Sequence, residues 1–291
     1  MVNLKKIGPK SLAELEAIWA TLYEDVYEIL GSTGIIVAMG DPKQGQPTAA
    51  TFLTQGLIPA TNEFTFTWSD SGGPAAFGTS FDLTLPSNFQ GLIPAVTFDG
   101  VGDEADTPDA AYWSRDDTSS EAWSVGGWFN VTDTAAVRAI LERYDNTTAS
   151  PEREWEFHIT AADDLALRMR DESAGVTVQR VSDNPINLGV WTFLVATYDG
   201  TGGASAMDTV ILYEDGVVKP STATNNDSYV GMENMTSTTM LGHNIASSGD
   251  PALFFAGQMA GGPMGPFFRQ TVLTPDEITR LYKLGRGALT L

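Results

Sequence analysis

The chain has 291 residues, 42% of them hydrophobic, which suffices for one large β domain with an extension or for two small domains. Its 16 Lys and Arg residues against 37 Asp and Glu residues give a formal net charge of −21, which argues against nucleic-acid binding because phosphate backbones repel such a chain. The absence of cysteine excludes disulfides and thiol chemistry.

The N-terminal segment and the hydropathy pattern bear on location. Residues 1–11 carry positive charge but no apolar stretch before Gly8-Pro9, so we expect no signal peptide and synthesis in a cytoplasm. No run of 18 apolar residues exists, so no membrane insertion is expected. The acidic charge is most simply explained by solubility, with a saline source and divalent-cation sites as the alternatives.

The first predicted element is an amphipathic helix over residues 11–30. Ser11 is a suitable N-cap, Glu14 completes a capping box, and Gly31 ends the helix. Its apolar stripe must be buried on the chain's own sheet or against another subunit. We favour the subunit, because the next segment is rich in Gly, Pro, Thr and Ser. The predicted assembly contacts are Leu15, Ile18, Trp19, Leu22 and Val26.

The segment after the helix contains only short strand patterns, at 35–39, 63–68 and 81–85. We therefore interpret residues 1–90 as a helix plus an extended β and loop arm for assembly, and residues 91–291 as the main domain. Deleting residues 1–90 is expected to abolish assembly and to leave a folded domain.

From residue 95 onward the pattern is β throughout. Strands are predicted at 95–98, 122–130, 138–144, 154–159, 165–169, 176–180, 191–198, 209–214, 240–241 and 258–268. This spacing, with Gly, Asp and Asn turns between strands, predicts a mainly β fold, an antiparallel sandwich of jelly-roll type. A capped helix is predicted at 273–282, with Pro275 at its first position.

The strand at 191–198 alternates with large side chains on both faces. Trp191, Phe193 and Val195 point one way, and Leu194 and Tyr198 the other. A strand that is apolar on both faces is typical of the inside of a layered structure.

Several motifs resemble the laminin-G-like, or concanavalin A-like, jelly-roll domain. They are V-T-F-D-G at 96–100 with Asp103, W-S-V-G-G-W-F at 123–129, W-T-F-L-V-A-T-Y-D-G at 191–200, L-Y-E-D-G at 212–216 and the helix at 273–282. The resemblance covers about two-thirds of the chain and implies binding or virion architecture rather than catalysis. One departure is Ala260-Gly261, where the family usually carries an acidic pair.

Calcium binding is the first candidate chemistry, because calcium takes carboxylate and carbonyl oxygens. Asp99, Asp103 and Asp106 fall within one turn region, and the first two match the opening motif of the family. The alternative is that they form turns and remain solvated.

Glycan binding is the second candidate, because sugar sites combine aromatic platforms with planar polar groups. Tyr112, Trp113 and Arg115 lie together between predicted strands. The alternative is that Trp113 packs under a loop or at a subunit contact.

Catalysis is the third candidate and is disfavoured. Glu152, Glu154 and Glu156 share a strand face, but the glucanase strand motif is absent, so we expect these glutamates to point outward. The two histidines, His158 and His243, are interpreted as ordinary strand or loop residues.

These observations predict a non-enzymatic virion structural protein that displays a laminin-G-like domain. A capsid decoration, a head fibre and a tail-associated protein are the forms considered, made in a host cytoplasm. Virion proteins and self-association, as a homotrimer by resemblance, are the expected partners, with cell-surface glycans as a further ligand. The alternatives are a carbohydrate-binding adhesion protein and a glycoside hydrolase.

Overall fold

The computed structural model describes residues 12–39, 51–56, 64–70, 93, 95–116, 121–132 and 136–289. Two helices flank the strands: α1 (Leu12–Leu30) and α2 (Pro275–Leu289). The early strands are β1 (Gly34–Val37), β2 (Thr51–Gly56), β3 (Thr65–Asp70), β4 (Ala95–Asp99) and β5 (Asp103–Thr107). The central strands are β6 (Trp123–Val131), β7 (Arg138–Asp145), β8 (Glu152–Ile159), β9 (Leu165–Asp171), β10 (Val176–Ser182), β11 (Thr192–Tyr198), β12 (Ile211–Glu214), β13 (Val217–Val218) and β14 (Ser221–Thr224). The late strands are β15 (Thr239–Leu241), β16 (Asn244–Ile245), β17 (Pro251–Ala252), β18 (Ala256–Ala260) and β19 (Phe267–Arg269).

The strands form two antiparallel sheets. In the first, called the helix-side sheet, the order is β13-β12-β11-β6, and the far edge of β6 pairs with β18 and β19, which continue to β4 and β1. The second, called the open-side sheet, has the order β3-β5-β15-β7-β8-β9-β10-β14. Strand β2 pairs with β1 of one sheet and β3 of the other. The predicted antiparallel sandwich of jelly-roll type is confirmed.

The main core lies between the two sheets. The helix-side sheet contributes Leu194, Phe129 and Phe268, and the open-side sheet contributes Trp155 and Phe157. The opposite face of β11, with Phe193 and Val195, is buried in a second cluster beneath the helices. The double-sided pattern of residues 191–198 therefore reflects a three-layer arrangement of helices, sheet and sheet.

Helix α1 packs on its own chain, which corrects the preference for a subunit contact. Trp19, Leu22 and Val26 are buried in the cluster formed with Trp128 and Phe193, and Ile18 packs against it partly buried. The side chain of Leu15 lies outside the described residues. Burying each large apolar side chain stabilises the fold by about 1.5–3 kcal/mol, so the stripe is explained within one chain.

The boundary at residue 90 does not separate two structural units. Strand β1 adds to the helix-side sheet through β19, with Ile35 opposite Phe268. Strand β3 adds to the open-side sheet through β5, with Trp68 opposite Ala105. The described part of residues 1–90 thus completes both sheets, and deleting it would uncover the apolar surface of Trp128 and Phe193.

Smaller differences concern element bounds. The predicted strand at 258–268 is two strands, β18 and β19, because Gly261, Gly262 and Pro263 interrupt it. Helix α2 runs on to Leu289, well past the predicted end. The predicted strand at 81–85 lies outside the described residues. No helix among the described residues has the length and apolar character required to cross a membrane.

Candidate functional site

The three carboxylates proposed for calcium do not converge. The Asp99 carboxylate accepts hydrogen bonds from the backbone N–H of Val101 and Gly102, and Asp103 accepts one from the Asp99 N–H at 2.7 Å. Strand alternation places Asp106 on the face opposite to Asp103. Within the described ranges, no three His, Asp or Glu side chains are arranged to hold a metal ion. Asp99 and Asp103 act as turn formers.

The three residues proposed for glycan binding lie in the interior, so this assignment is wrong. Tyr112 Oη lies 2.8 Å from the carbonyl oxygen of Thr33, to which it donates. Trp113 packs against the rings of Phe64 and Phe268. Arg115 is buried and donates to the Ser114 carbonyl oxygen at 2.6 Å. None of the three presents a surface to a sugar, because the loop that carries them closes the end of the core.

A row of polar residues instead crosses the outer face of the open-side sheet, the face turned away from the core. Cross-strand pairing brings these side chains to one face because directly opposed residues share a face. The row, called the polar row, runs in the order Asp106, Met240, Glu142, Glu156, Arg168, Gln179 and Thr224.

An irregularity in β8 separates glutamates that the sequence placed together. Arg143 pairs with Trp155 and Tyr144 with Arg153, so Glu154 is the extra residue of a β-bulge. Its carboxylate accepts two hydrogen bonds from Arg143, at 2.8 and 3.0 Å. Burial raises the pKa of Glu154 to about 7, although Arg143 opposes the shift. Glu156 lies on the outer face, as expected of an outward-pointing residue, but it is buried there; Glu154, in contrast, is buried against Arg143.

Beyond Glu156 the same sheet carries three partly exposed arginines, Arg168 of the polar row and the nearby Arg153 and Arg170. Arg168 keeps 28% of its side chain exposed while its Nη1 donates to Glu156 Oε2 at 2.6 Å. Arg153 lies over the Tyr144 ring, 6.0 Å from its centroid. Arg170 Nη1 donates to Thr177 Oγ1 at 2.9 Å. We call Tyr144, Arg153, Arg168, Arg170 and Thr177 the arginine surface.

The other part of the polar row is covered by a segment called the strap, residues 242–255. The chain leaves β15 beside β7, reverses at Gly242, and returns to pair Ile245 with Asp145 in parallel. On the way Asn244 Nδ2 reaches Glu156 Oε1 at 3.5 Å. The strap therefore crosses the outer face above Glu142, which explains why this carboxylate is fully buried.

The titratable groups that the strap covers, and His243 of the strap itself, have strongly shifted pKa values. Burial, followed by the charge of Glu156, raises the pKa of Glu142 well above its usual value. Burial also raises the pKa of Asp106, to about 7, with Glu104 adding to the shift. Burial lowers the pKa of His158 to about 3 and of His243 to about 4, so both imidazoles are neutral near pH 7. A protonated Glu142 beside an ionised Glu156 is the state that this environment favours.

The arginine surface has a sequence signal of its own in the alternation of its strands. In L-A-L-R-M-R-D at 165–171, arginines alternate with apolar residues, and E-W-E-F-H-I at 154–159 alternates similarly. Alternation of this kind marks a sheet with one face in the core and one polar face. Aromatic residues in loops are typical of sugar sites, so the sequence favoured the loop containing Tyr112 and Trp113 over these strands.

Comparison with known families adds a classification. A family model, Laminin_G_3, described as the concanavalin A-like lectin/glucanases superfamily, matches residues 99–261, which is more than half of the chain. A comparison with curated proteins gives no match.

Solved structures that match this chain include two toxin domains and a carbohydrate-binding module. The binding domain of botulinum neurotoxin DC, in complex with SialylT, is 9% identical with a TM-score of 0.51, and the match covers 88% of this chain and 52% of that one. The serotype G binding domain is also 9% identical with a TM-score of 0.51, covering 88% and 51%. The Ruminococcus gnavus IT-sialidase CBM40 bound to α2,3 sialyllactose is 14% identical with a TM-score of 0.43, covering 56% and 83%. The chain thus spans about half the length of the toxin domains that it resembles.

Given the match over residues 99–261 and the two-sheet sandwich, the chain belongs to the Laminin_G_3 family of concanavalin A-like domains.

Proposed function

We propose that this protein is a non-enzymatic glycan-binding protein whose ligand lies on the arginine surface. The observation that carries the proposal is the set of planar polar groups that stay accessible beside the strap, with Arg168 28% and Arg153 18% exposed. Guanidinium groups donate several hydrogen bonds in one plane, as sugar hydroxyls and carboxylates require. The lectins in the description of the family, and a toxin binding domain of this fold in complex with SialylT, support the same ligand class.

The proposal excludes catalysis because the paired carboxylates of the outer face are not accessible. Glu156 has 1% of its side chain exposed and is engaged by Arg168, and Glu142 lies beneath the strap. A glycosidase needs two carboxyl groups that flank a substrate bond from opposite sides. Glu142 and Glu156 are cross-strand neighbours on one face, so they do not lie on opposite sides of a substrate bond.

A glycan array followed by calorimetric titration tests this proposal. We expect the unmodified protein to bind at least one glycan, and Arg168→Ala to weaken that affinity at least about tenfold, the loss of one charged hydrogen bond. Gln179→Ala, which leaves the Arg168–Glu156 ion pair intact, should weaken binding less. Arg280→Ala on α2 removes an exposed arginine from the helix layer and should leave the affinity unchanged. Absence of glycan binding, or equal losses in Arg168→Ala and Arg280→Ala, would contradict the proposal.

We further propose that the protein displays this domain on a virion, as a capsid decoration, head fibre or tail-associated protein. The feature that supports assembly is the edge of the helix-side sheet, where Val217 and Val218 of β13 are 68% and 55% exposed. An apolar edge strand suits pairing with a second copy of the chain, and a homotrimer is the assembly expected from the resemblance.

Two measurements test the virion role. Light scattering should give a trimer mass for the unmodified protein and a monomer mass for Val217→Asp, whereas Asp208→Asn at an exposed site should remain trimeric. Antibody labelling in electron micrographs should place the protein on regular particles. A monomeric unmodified protein, or label found only on cell surfaces, would instead favour an adhesion protein.

A further inference from the structure

We propose that Glu142 and Glu156 share one proton beneath the strap, and that ionisation of the second carboxylate releases the strap from the sheet. The strap would then be a pH-controlled cover of the outer face. This inference concerns a different part of the polar row from the arginine surface and holds whether or not a glycan binds there.

The geometry leaves the second negative charge without compensation. Glu142 and Glu156 are directly opposed on β7 and β8, so their side chains share the outer face. Glu156 already holds Arg168 at 2.6 Å and accepts from Asn244. Both carboxylate oxygens of Glu142 are buried and lack hydrogen-bond partners among the described residues. A buried carboxylate in this position stays neutral, since an unpaired charge costs several kcal/mol more.

The groups that face Glu142 from neighbouring elements do not supply a balancing charge. These groups come from five elements. They are Glu104 and Asp106 on β5, Tyr144 on β7, His158 on β8, Arg168 on β9 and His243 in the strap. Glu104 and Asp106 carry the same sign as Glu142. Tyr144, whose pKa burial raises, is neutral, and so are both histidines, whose pKa values burial lowers. Arg168 is the one cation of this set and is paired with Glu156.

The strap is the element that can move away from Glu142 most easily. Glu142 and Glu156 lie on central strands that are paired along both edges, so these strands cannot separate. The strap is attached through a few bonds, including Ala139 N–H to the Leu253 carbonyl at 2.9 Å, Asn146 N–H to Ile245 at 3.0 Å and Thr148 N–H to Ser247 at 3.0 Å. Its tip, residues 247–250, is exposed. Lifting the strap hydrates Glu142 and leaves the sheet intact.

The direction of the pH dependence follows from the proton balance. The covered state raises the pKa of Glu142, so it binds a proton that the open, hydrated state releases. The covered state is therefore complete below the usual glutamate pKa and is lost as pH rises through the raised value. Each pH unit within this window changes the ratio of covered to open molecules by up to about tenfold.

Hydrogen exchange at single amides of the full chain tests the proposal. The amides of Ala139, Asn146 and Thr148 donate to strap carbonyls, and the Val195 amide within β11 serves as the reference. The protection factors of these three strap-bonded amides, corrected for intrinsic exchange rates, should fall between about pH 6 and about pH 9. The fall should be at least about tenfold relative to Val195. In Glu142→Gln, which keeps a neutral side chain at every pH, the fall should disappear.

The matched control is Asp250→Asn, which removes one negative charge from the exposed tip of the strap. This variant should show the same fall as the unmodified protein. No fall in the unmodified protein, an equal fall in Glu142→Gln, or a parallel fall at Val195 would overturn the proposal.

A second measurement needs no variant. Carbon-13 NMR titration of the glutamate carboxyl groups should show two coupled steps for Glu142 and Glu156, with one proton still bound well above the usual glutamate pKa. Complete ionisation of both groups below about pH 5 would also overturn the proposal.

Discussion

The reversal at the start of the strap depends on one residue, Gly242. Its φ is +80°, a backbone conformation that L side chains rarely adopt, and a Cβ there would stand 2.6 Å from Cε1 of Phe98. Phe98 is fully embedded in the core, so the ring cannot move aside without opening a gap. The strap can therefore lie above Glu142 only because residue 242 has no Cβ atom.

Gly242→Ala should lower the free energy of unfolding by about 2–4 kcal/mol, the sum of backbone strain and overpacking. Gly189→Ala is the matched control, because Gly189 has a φ of +73° but no heavy atom within 4 Å of the added Cβ. That variant should lose only the strain, about 1 kcal/mol. Urea unfolding followed by tryptophan fluorescence measures both values. Equal losses in the two variants would show that Phe98 does not constrain the turn.

Helix α1 illustrates how one element acquires its partner at the next scale. Its stripe covers Trp128 of β6 and Phe193 of β11, and α2 closes the same layer through Ile278 and Leu281. The helices shield a sheet face that a two-layer sandwich would leave in water. They are therefore part of the domain, and the large rings on the outer face of β6 and β11 are explained by their presence.

Trp19→Ala should destabilise the protein by about 3–5 kcal/mol, as expected for removal of a buried aromatic side chain. Glu24→Ala, on the exposed side of α1, should change the stability by less than about 0.5 kcal/mol. The mass of the protein in solution, measured by light scattering, should be the same for both variants. A change of mass in Trp19→Ala without a loss of stability would reinstate the helix as a subunit contact.

Two groups of side chains make the stability of the whole molecule depend on pH in opposite directions. Acids with a raised pKa, such as the partly buried Asp106 at about 7, bind protons more tightly when folded, so their contribution to stability is complete below about pH 4 and is lost as pH rises through 7. His158 and His243, with pKa values lowered to about 3 and about 4, contribute fully above about pH 6.5 and lose that contribution as pH falls. Above about pH 6.5, of these two groups, only the acids still change their contribution to stability.

The melting temperature should therefore fall as the pH is raised from about 6.5 to about 8. Asp106→Asn should reduce this slope, because it removes one of the titrating groups. Asp208→Asn, at an exposed position, should keep the slope of the unmodified protein. Differential scanning calorimetry at constant ionic strength gives the comparison. A melting temperature that rises over this range would show that these acids are ionised in the folded state.

The candidate site was predicted less well than the fold, and particular residues show why. Trp113 lies in a loop between strands, a position that suits a sugar platform, yet it fills the end of the core against Phe268. Glu154 was grouped with Glu156 by strict alternation, but a bulge assigns it to Arg143. Neither outcome is visible in local sequence, because burial and bulges depend on what the rest of the chain brings alongside.

The sequence alone determined the sandwich, because alternation along each strand and the turn residues between strands are local properties. The apolar residues on both faces of 191–198 also indicated a sheet that is covered on both sides. Only the tertiary structure decided what covers that sheet, namely α1, and what crosses the opposite sheet, namely the strap. The physical reason is range. Strand patterning is fixed by neighbours two residues apart, whereas the pairing of Glu142 with Glu156 and its enclosure by Asn244 join positions that the fold alone brings together.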